Sequence, residues 1–309
     1  MVSLDIVIVN WNSGSYLKEC LVSIIEADTS SLNNIFVVDN NSEDESLVGL
    51  PSNDLIKIKC KDSNLGFAKG CNYGASFSST DFILFLNPDT KLYKNTLQGS
   101  LDFMNINKDI GILGVQLLND NSEITKSCSR FCSLSRTASH SLGITKFFPT
   151  LGMPMEEWDH KESREVDQVI GAYFFMRNDL FKKLKGFDER FFVFYEEMDF
   201  AFRAKQFGWK SYFNSDLKSY HVGGGTTDSI KATRLFYSLK SRIQYSFKNF
   251  NKVSAIIALL MILTTEFCIR LVFLSLFKKS IQNFRETFEA YRSLISWLTM
   301  KVISKITTK

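Results

Sequence analysis

A mostly parallel α/β sheet with helices on both faces, followed by a basic helical tail, is the fold that this 309-residue sequence predicts. Three observations carry that expectation. Short β-branched runs alternate with helical patterns through the first half of the chain, which is how a sheet with helical crossovers is written. The runs are almost continuously apolar, as in strands buried on both faces. Beyond about residue 230 the pattern gives way to long helical periodicities rich in Lys, Arg and Leu. With 45% hydrophobic and 14% aromatic residues the chain buries a substantial core, which excludes wholesale disorder.

The first run, Leu4 to Val9, gives a strand, and Leu17, Cys20, Leu21, Ile24 and Ile25 follow at the offsets of one helix face. Ile35 to Val38, Ile56 to Cys60, Phe82 to Leu86 and Ile110 to Val115 give further strands. From about Ser122 to Val166 the periodicity is weak, and an irregular insertion with at most short helices is expected. An apolar run to Met176, a short helix, the turn Gly186-Phe187-Asp188-Glu189 and a helix from Glu196 to Phe207 then resume the core. Ligands of such sheets collect at the carboxyl ends of the strands. There the sequence places Asn10-Trp11-Asn12, Asp39-Asn40-Asn41 and Asn87-Pro88-Asp89, three polar clusters that converge on one crevice.

Six cysteines without C-x-x-C spacing argue against a zinc ribbon or a disulfide framework and suit reduced thiols in a cytosolic setting. The opening MVSLDIVIVN reads as part of the fold rather than as a secretory signal. The formal charge of +4 is uneven, because residues 231–309 hold 14 Lys and Arg against 3 Asp and Glu. Such a tail meets an anionic surface, and its many Leu and Ile suit lipid headgroups rather than nucleic acid.

Within the tail, Val253 to Phe277 carries only Glu266 and Arg270 as charges and is long enough to cross a bilayer. Those two charges stand four apart and can pair on one helix face. An ion pair is costly in hydrocarbon, and Lys248, Lys252, Lys278 and Lys279 flank both ends, so an in-plane or re-entrant helix fits at least as well as a span. Next, Ile281, Phe284, Phe288, Tyr291, Ile295 and Leu298 form an apolar stripe with Arg285, Arg292 and Lys301 elsewhere, the pattern of an interfacial amphipathic helix. The alternative is that the stripe docks on the protein's own body or, as a homo-oligomer contact, on a second copy. The expected division is a catalytic domain over 1–230 and a membrane-associating region over 231–309.

The segments VNWNSGSYLKECLVSI, VVDNNSEDES, NLGFAKGCNYGA, FLNPDT, IGAYFFMRNDLFKKLKGFDERFFVFYEEMDFAFR and HVGGGTT span Val9 to Thr227. Their order and spacing resemble the family 2 glycosyltransferases, in particular their bacterial rhamnosyltransferase-like branch. The resemblance implies a GT-A fold, a nucleotide-sugar donor, a divalent cation (Mg²⁺ or Mn²⁺) and inversion at the anomeric carbon. It puts Asp89 at the last acid of the family's metal motif, with Asn87 where the first acid stands, and gives His221 to the same metal. It puts the base at Glu197, with Glu196 in reserve. On the donor side it gives Asp39 to the pyrimidine, Asn10, Trp11 and Asn12 to the base and ribose, and Asn64, Gly66, Phe67 and Asn72 to ribose or phosphate. Gly171 and Ala172 form a small-residue wall near the sugar, and Asp188 faces sugar or acceptor.

The chemistry agrees with these assignments. A diphosphate leaving group gathers negative charge that a hard cation on carboxylate oxygens neutralises, and an acceptor hydroxyl needs a base within hydrogen-bond reach. The expected function is therefore an inverting transfer of one sugar, rhamnose favoured, from a dTDP- or UDP-linked donor to a lipid-linked or polysaccharide acceptor. The expected place is the cytoplasmic face of the inner membrane, held there peripherally or monotopically. Two rivals remain at this point: a nucleotidyltransferase, which would carry a glycine-rich basic loop after the first strand, and a catalytically silent membrane adaptor, suggested by Asn87.

Overall fold

The computed structural model describes residues 2–27, 30–223, 230–278 and 280–307. In chain order the elements are β1 (Leu4–Asn10), α1 (Tyr16–Glu26), β2 (Leu32–Asp39), β3 (Ile56–Cys60), α2 (Phe67–Ala75), β4 (Phe82–Leu86), β5 (Thr90–Leu92) and α3 (Thr96–Ile106). There follow β6 (Ile110–Leu118), β7 (Cys128–Ser129), α4 (Leu134–Ser141), β8 (Arg164–Val166), β9 (Gln168–Val169), β10 (Tyr173–Arg177) and α5 (Asn178–Lys183). The chain continues through α6 (Glu196–Gln206), β11 (Lys210–His221), α7 (Lys231–Asn249), α8 (Lys252–Met261), α9 (Phe267–Phe273) and α10 (Ile281–Thr307). Two compact units result, one built from Met1–Phe131, Pro154–Phe192 and Glu196–Thr226, the other from Cys132–Met153, Val193–Tyr195 and Thr227–Lys309.

The first unit is a sheet of order β3-β2-β1-β4-β10-β6-β11-β5, with β8 paired to β11. Strands β1, β2, β3 and β4 run parallel, and β10 enters antiparallel between β4 and β6. Successive strand residues point to opposite faces. Leu4, Ile6 and Ile8 of β1 therefore bury against Leu17, Leu21 and Ile24 of α1, while Val7 and Val9 bury against Ala68, Cys71 and Ala75 of α2. Strand β11 was not foreseen: it is polar at Lys210, Asn214, Asp216 and Lys218 and is interrupted by a register shift between Asn214 and Lys218.

The second unit gathers the tail helices with the short helix α4. Its core consists of Leu239 and Ile243 of α7, Ile262, and Tyr291 and Leu294 of α10. Residues 193–195 join it because the Ser241 hydroxyl donates to the Val193 carbonyl at 2.8 Å and the rings of Tyr195 and Tyr245 lie 5.6 Å apart. The apolar stretch from 253 is not one uninterrupted α-helix, since α8 and α9 are joined by a π-helical segment, Ile262–Glu266. That extra residue per turn directs Glu266 into the unit, where it is 2% exposed. Tyr291 of the expected α10 stripe is buried in the unit, Phe284 and Leu298 are partly buried, and Ile281, Phe288 and Ile295 stay exposed. The helix thus divides its apolar residues between its own unit and the outside.

Candidate active site

The carboxyl ends of β1 and β2 lie side by side, with Asn10 in register with Asp39. The Asn10 amide donates to Asp39 Oδ1 at 2.8 Å, to Ser46 Oγ at 2.9 Å and to Ser42 Oγ at 3.1 Å. Ser42 donates its hydroxyl to Asp39 Oδ1 at 2.6 Å and its amide to Asp39 Oδ2 at 3.1 Å. Asn12, in the left-handed region at φ 48°, donates its amide to Ser42 Oγ at 3.0 Å and accepts the Glu43 amide at 2.8 Å. Trp11 between them is partly exposed. Asn10, Asn12 and Asp39 are thus brought together, and two serines unmarked by the sequence reasoning, Ser42 and Ser46, orient them. A carboxylate fixed by three donors keeps one direction toward a ligand.

Asn64, Gly66, Phe67 and Asn72 form a second group, tied to the 186–192 segment. Asn64 Oδ1 accepts the Gly66 amide at 2.8 Å, and the Phe67 amide donates to the Phe192 carbonyl at 2.6 Å. Gly66 has φ +82°, and a Cβ there would lie 2.4 Å from the Phe192 carbonyl oxygen, so only glycine fits. The Asn72 amide donates to the Phe187 carbonyl at 2.8 Å and its Oδ1 accepts the Phe187 amide at 2.9 Å. Phe67 packs against the core. Each of these polar groups has a partner inside the protein, so the group braces the turn that carries Asp188. Phe187 anchors that turn from beneath, its ring 5.0 Å from Phe85 and 5.4 Å from Phe200. Asp188 itself holds Arg190 at 3.0 Å.

At the end of β4, Asp89 is 6% exposed and its Oδ1 lies 3.4 Å from Nε2 of His221. The pairing of β11 with β5, which sets His221 opposite Thr90, makes that approach. Ligands about 2.1 Å from one octahedral ion stand about 3 Å apart, so this carboxylate and imidazole suit a shared divalent cation. Among the described residues no three His, Cys, Asp or Glu side chains surround one point, and Asp89 with His221 forms a pair. Gly224 and Gly225, singled out beside His221, lie outside the described residues.

Glu197 sits in the first turn of α6, and its Oε1 accepts the Gly171 amide at 3.1 Å. A Cβ on Gly171 would lie 2.3 Å from that oxygen, so any larger residue there would displace the Glu197 side chain. Burial pushes the Glu197 carboxyl above the usual glutamate range, against the lowering effect of its own amide and that of Gly171. The next residue, Ala172, gives its carbonyl to the Asn87 amide at 3.2 Å and to the Thr90 hydroxyl at 3.3 Å. One short path, Glu197 to Gly171-Ala172 to Asn87 and Thr90, therefore joins Glu197 to the residues on either side of Asp89. Glu196 is buried beside Glu197, while Asp199 is held by Arg203 at 2.8 Å, whose other nitrogens donate to the carbonyls of Leu184 and Gly186.

A sequence model of the family "Glycosyl transferase family 2" matches residues 5–185. The chain is 24% identical over 258 residues, 77% of its length and 82% of the relative's, to an N-acetylglucosaminyl-diphospho-decaprenol L-rhamnosyltransferase of Mycobacterium tuberculosis. Its fold is similar to that of S. aureus TarS 1-349 in complex with UDP-GlcNAc (TM-score 0.55, 17% identity, 94% of this chain and 79% of that one). It is also similar to the mannosyltransferase PcManGT from Pyrobaculum calidifontis in complex with GDP-Man and Mn²⁺ (TM-score 0.54, 13% identity, 97% and 84%).

Proposed function

The chain belongs to glycosyltransferase family 2, and from that premise we propose that it transfers a sugar, rhamnose by its resemblance, from a dTDP- or UDP-linked donor to a lipid-linked glycan acceptor with inversion. The observation that carries this reading is the path from Glu197 through Gly171-Ala172 to the strand end bearing Asp89 and His221. Asp39 and its neighbours Asn10 and Asn12 bind the pyrimidine nucleoside, and Asp89 with His221, beside Asn87, holds Mg²⁺ or Mn²⁺. When bound, the cation supplies positive charge to the departing diphosphate. Glu197 takes the proton from the acceptor hydroxyl as that oxygen attacks the anomeric carbon. The bond from that carbon to the diphosphate breaks on the opposite face, its electron pair leaving with the diphosphate oxygen. A single displacement of this kind inverts the configuration. The Mycobacterium tuberculosis relative, named for a diphospho-decaprenol, supports a lipid-linked acceptor.

Membrane association follows from the tail. Residues Lys252–Leu276 are long and apolar enough to cross a bilayer, and only 17% of their most apolar stretch is buried. Because the π segment turns Glu266 into the protein's own core, we take the helix to lie in the cytoplasmic surface of the membrane, in a monotopic arrangement. Glu197→Gln tests the whole reading: transfer, measured with a panel of nucleotide sugars, falls by about 10²–10⁴-fold, while donor affinity measured by calorimetry is unchanged. Donor binding lost together with transfer overturns the role of Glu197.

A further inference from the structure

In the second unit, α4, α7, α9 and α10 enclose a cavity of about 400 Å³ that the transfer chemistry does not use. Its polar wall carries Lys146, Lys231, Arg270 and His140, and its apolar wall carries Ile269 and Phe273. Two acids also reach it. Glu266 accepts from Ser141 at 3.3 Å and from Arg270 at 3.1 Å, and it pairs with the buried Arg242 behind the wall. Glu286 accepts from Gln282 at 3.0 Å. Arg242 neutralises Glu266 from inside the unit, so the cations facing the cavity exceed the acids.

Arg270 is oriented rather than free to swing. Glu266 holds its Nε and one terminal nitrogen, yet its side chain remains 35% exposed. A guanidinium fixed in this way meets a phosphate in a set direction at little entropic cost. The ammonium of Lys146 lies over the ring of Phe273, and Lys231 stands exposed at the start of α7. From this charged end an apolar row leads away along one helix face, Ile269, Val272, Phe273 and Leu276, with Val272 50% and Leu276 62% exposed. A soluble anion gains nothing from that row, and a neutral hydrocarbon gains nothing from the cations.

We propose that this cavity binds the phosphate end of a lipid, with Arg270, Lys231 and Lys146 on the phosphate oxygens and the hydrocarbon chain along Ile269 to Leu276. The inference takes only its membrane setting from the function proposed above, and its test is a binding measurement that does not depend on sugar transfer. Two lipids of this chemistry are available at a membrane, a polyprenyl diphosphate and an anionic phospholipid, and they are separated by their short-chain forms, farnesyl diphosphate and dioctanoyl phosphatidylglycerol.

Calorimetry on the full chain in neutral detergent is expected to show saturable binding of at least one of these two, with farnesol and inorganic pyrophosphate at least tenfold weaker. The tighter of the two identifies the source. Arg270→Gln and Lys231→Gln are each expected to weaken that binding about tenfold, and Lys231, being exposed, is replaced without disturbing the Glu266 cluster. Lys252→Gln, a cation on the same unit outside the cavity, and Glu197→Gln in the active site leave it unchanged. Pyrophosphate binding as tightly as farnesyl diphosphate, binding of neither lipid, or an equal loss in Lys252→Gln each overturns the proposal. Failure of the glycosyltransferase reading would instead appear as absent transfer with lipid binding intact.

Discussion

Glu197 is half-buried and Glu266 fully buried, and the larger difference between them lies in the company each keeps. Around Glu197 the hydrogen-bond donors are backbone amides, its own and that of Gly171. Burial therefore dominates and holds its proton more tightly than an ordinary glutamate would, which suits the base role proposed for it. Burial pushes Glu266 in the same direction, but Arg242, His140 and Arg270 outweigh it and keep this carboxyl well below the usual range. One region of the molecule holds the carboxylate proposed as the base, and the other uses its carboxylate as a structural hub.

The sharpest way to break this contrast is to remove each carboxylate and measure stability. Glu266→Ala leaves the Arg242 guanidinium, 5% exposed, without its counter-ion. Unfolding free energy is expected to drop by about 3–5 kcal/mol, read from urea or thermal denaturation of the full chain. Glu197→Gln is expected to leave stability unchanged or raise it at neutral pH, because it removes a charge that the fold disfavours. Equal losses for the two variants would erase the distinction.

How much of this was legible in the sequence follows from range and periodicity. Strands β1, β2 and β4 were readable because burial on both faces writes continuous apolar runs, β3 at the sheet edge because its Ile and Lys alternate, and Asn10, Asp39 and Asp89 because each stands at or shortly after the end of a buried strand. The i to i+4 pair of Glu266 with Arg270 was readable too. Its dominant partner was not: Arg242 lies on α7, 24 positions away, and nothing in local periodicity announces it. Strand β11, which brings His221 to Asp89, hides behind polar residues and a shifted register. The stretch 132–153 joins the tail helices through polar side chains, with Thr137 and Ser141 fully buried, and so left no apolar signature. Ser42 and Ser46 around Asp39 look like ordinary turn formers until the register of β1 and β2 is known.

A smaller effect tests whether the amide of Gly171 sets the position of the base. Gly171→Ala inserts a methyl group 2.3 Å from Glu197 Oε1, so the side chain must move and its hydrogen bond must lengthen or break. The expected result is a loss of about 1–3 kcal/mol in stability from overpacking and a fall in kcat larger than any change in donor affinity. Transfer kinetics beside donor calorimetry on the same preparation separate the two effects. Unchanged kcat would mean that Glu197 acts from a different rotamer.

The smallest effect lies in pH dependence, and there the two glutamates are expected to differ in sign. For Glu197 the folded state holds the proton more tightly than the unfolded chain, so stability falls as pH rises from the ordinary value of 4.5 through the raised folded value. For Glu266 the order is reversed: its stabilisation is present above 4.5 and is lost as pH falls below that value toward the depressed folded one. Denaturation midpoints across this range, compared between wild type, Glu197→Gln and Glu266→Gln, should therefore diverge in opposite directions. In the same range kcat/KM, which reports the free enzyme, should show its acid limb at a pH above 4.5, since in the proposed mechanism only the ionised Glu197 accepts the hydroxyl proton. An acid limb at or below 4.5 would place the catalytic base on a carboxylate in more polar surroundings than Glu197, and the contrast between the two glutamates would lose its functional half.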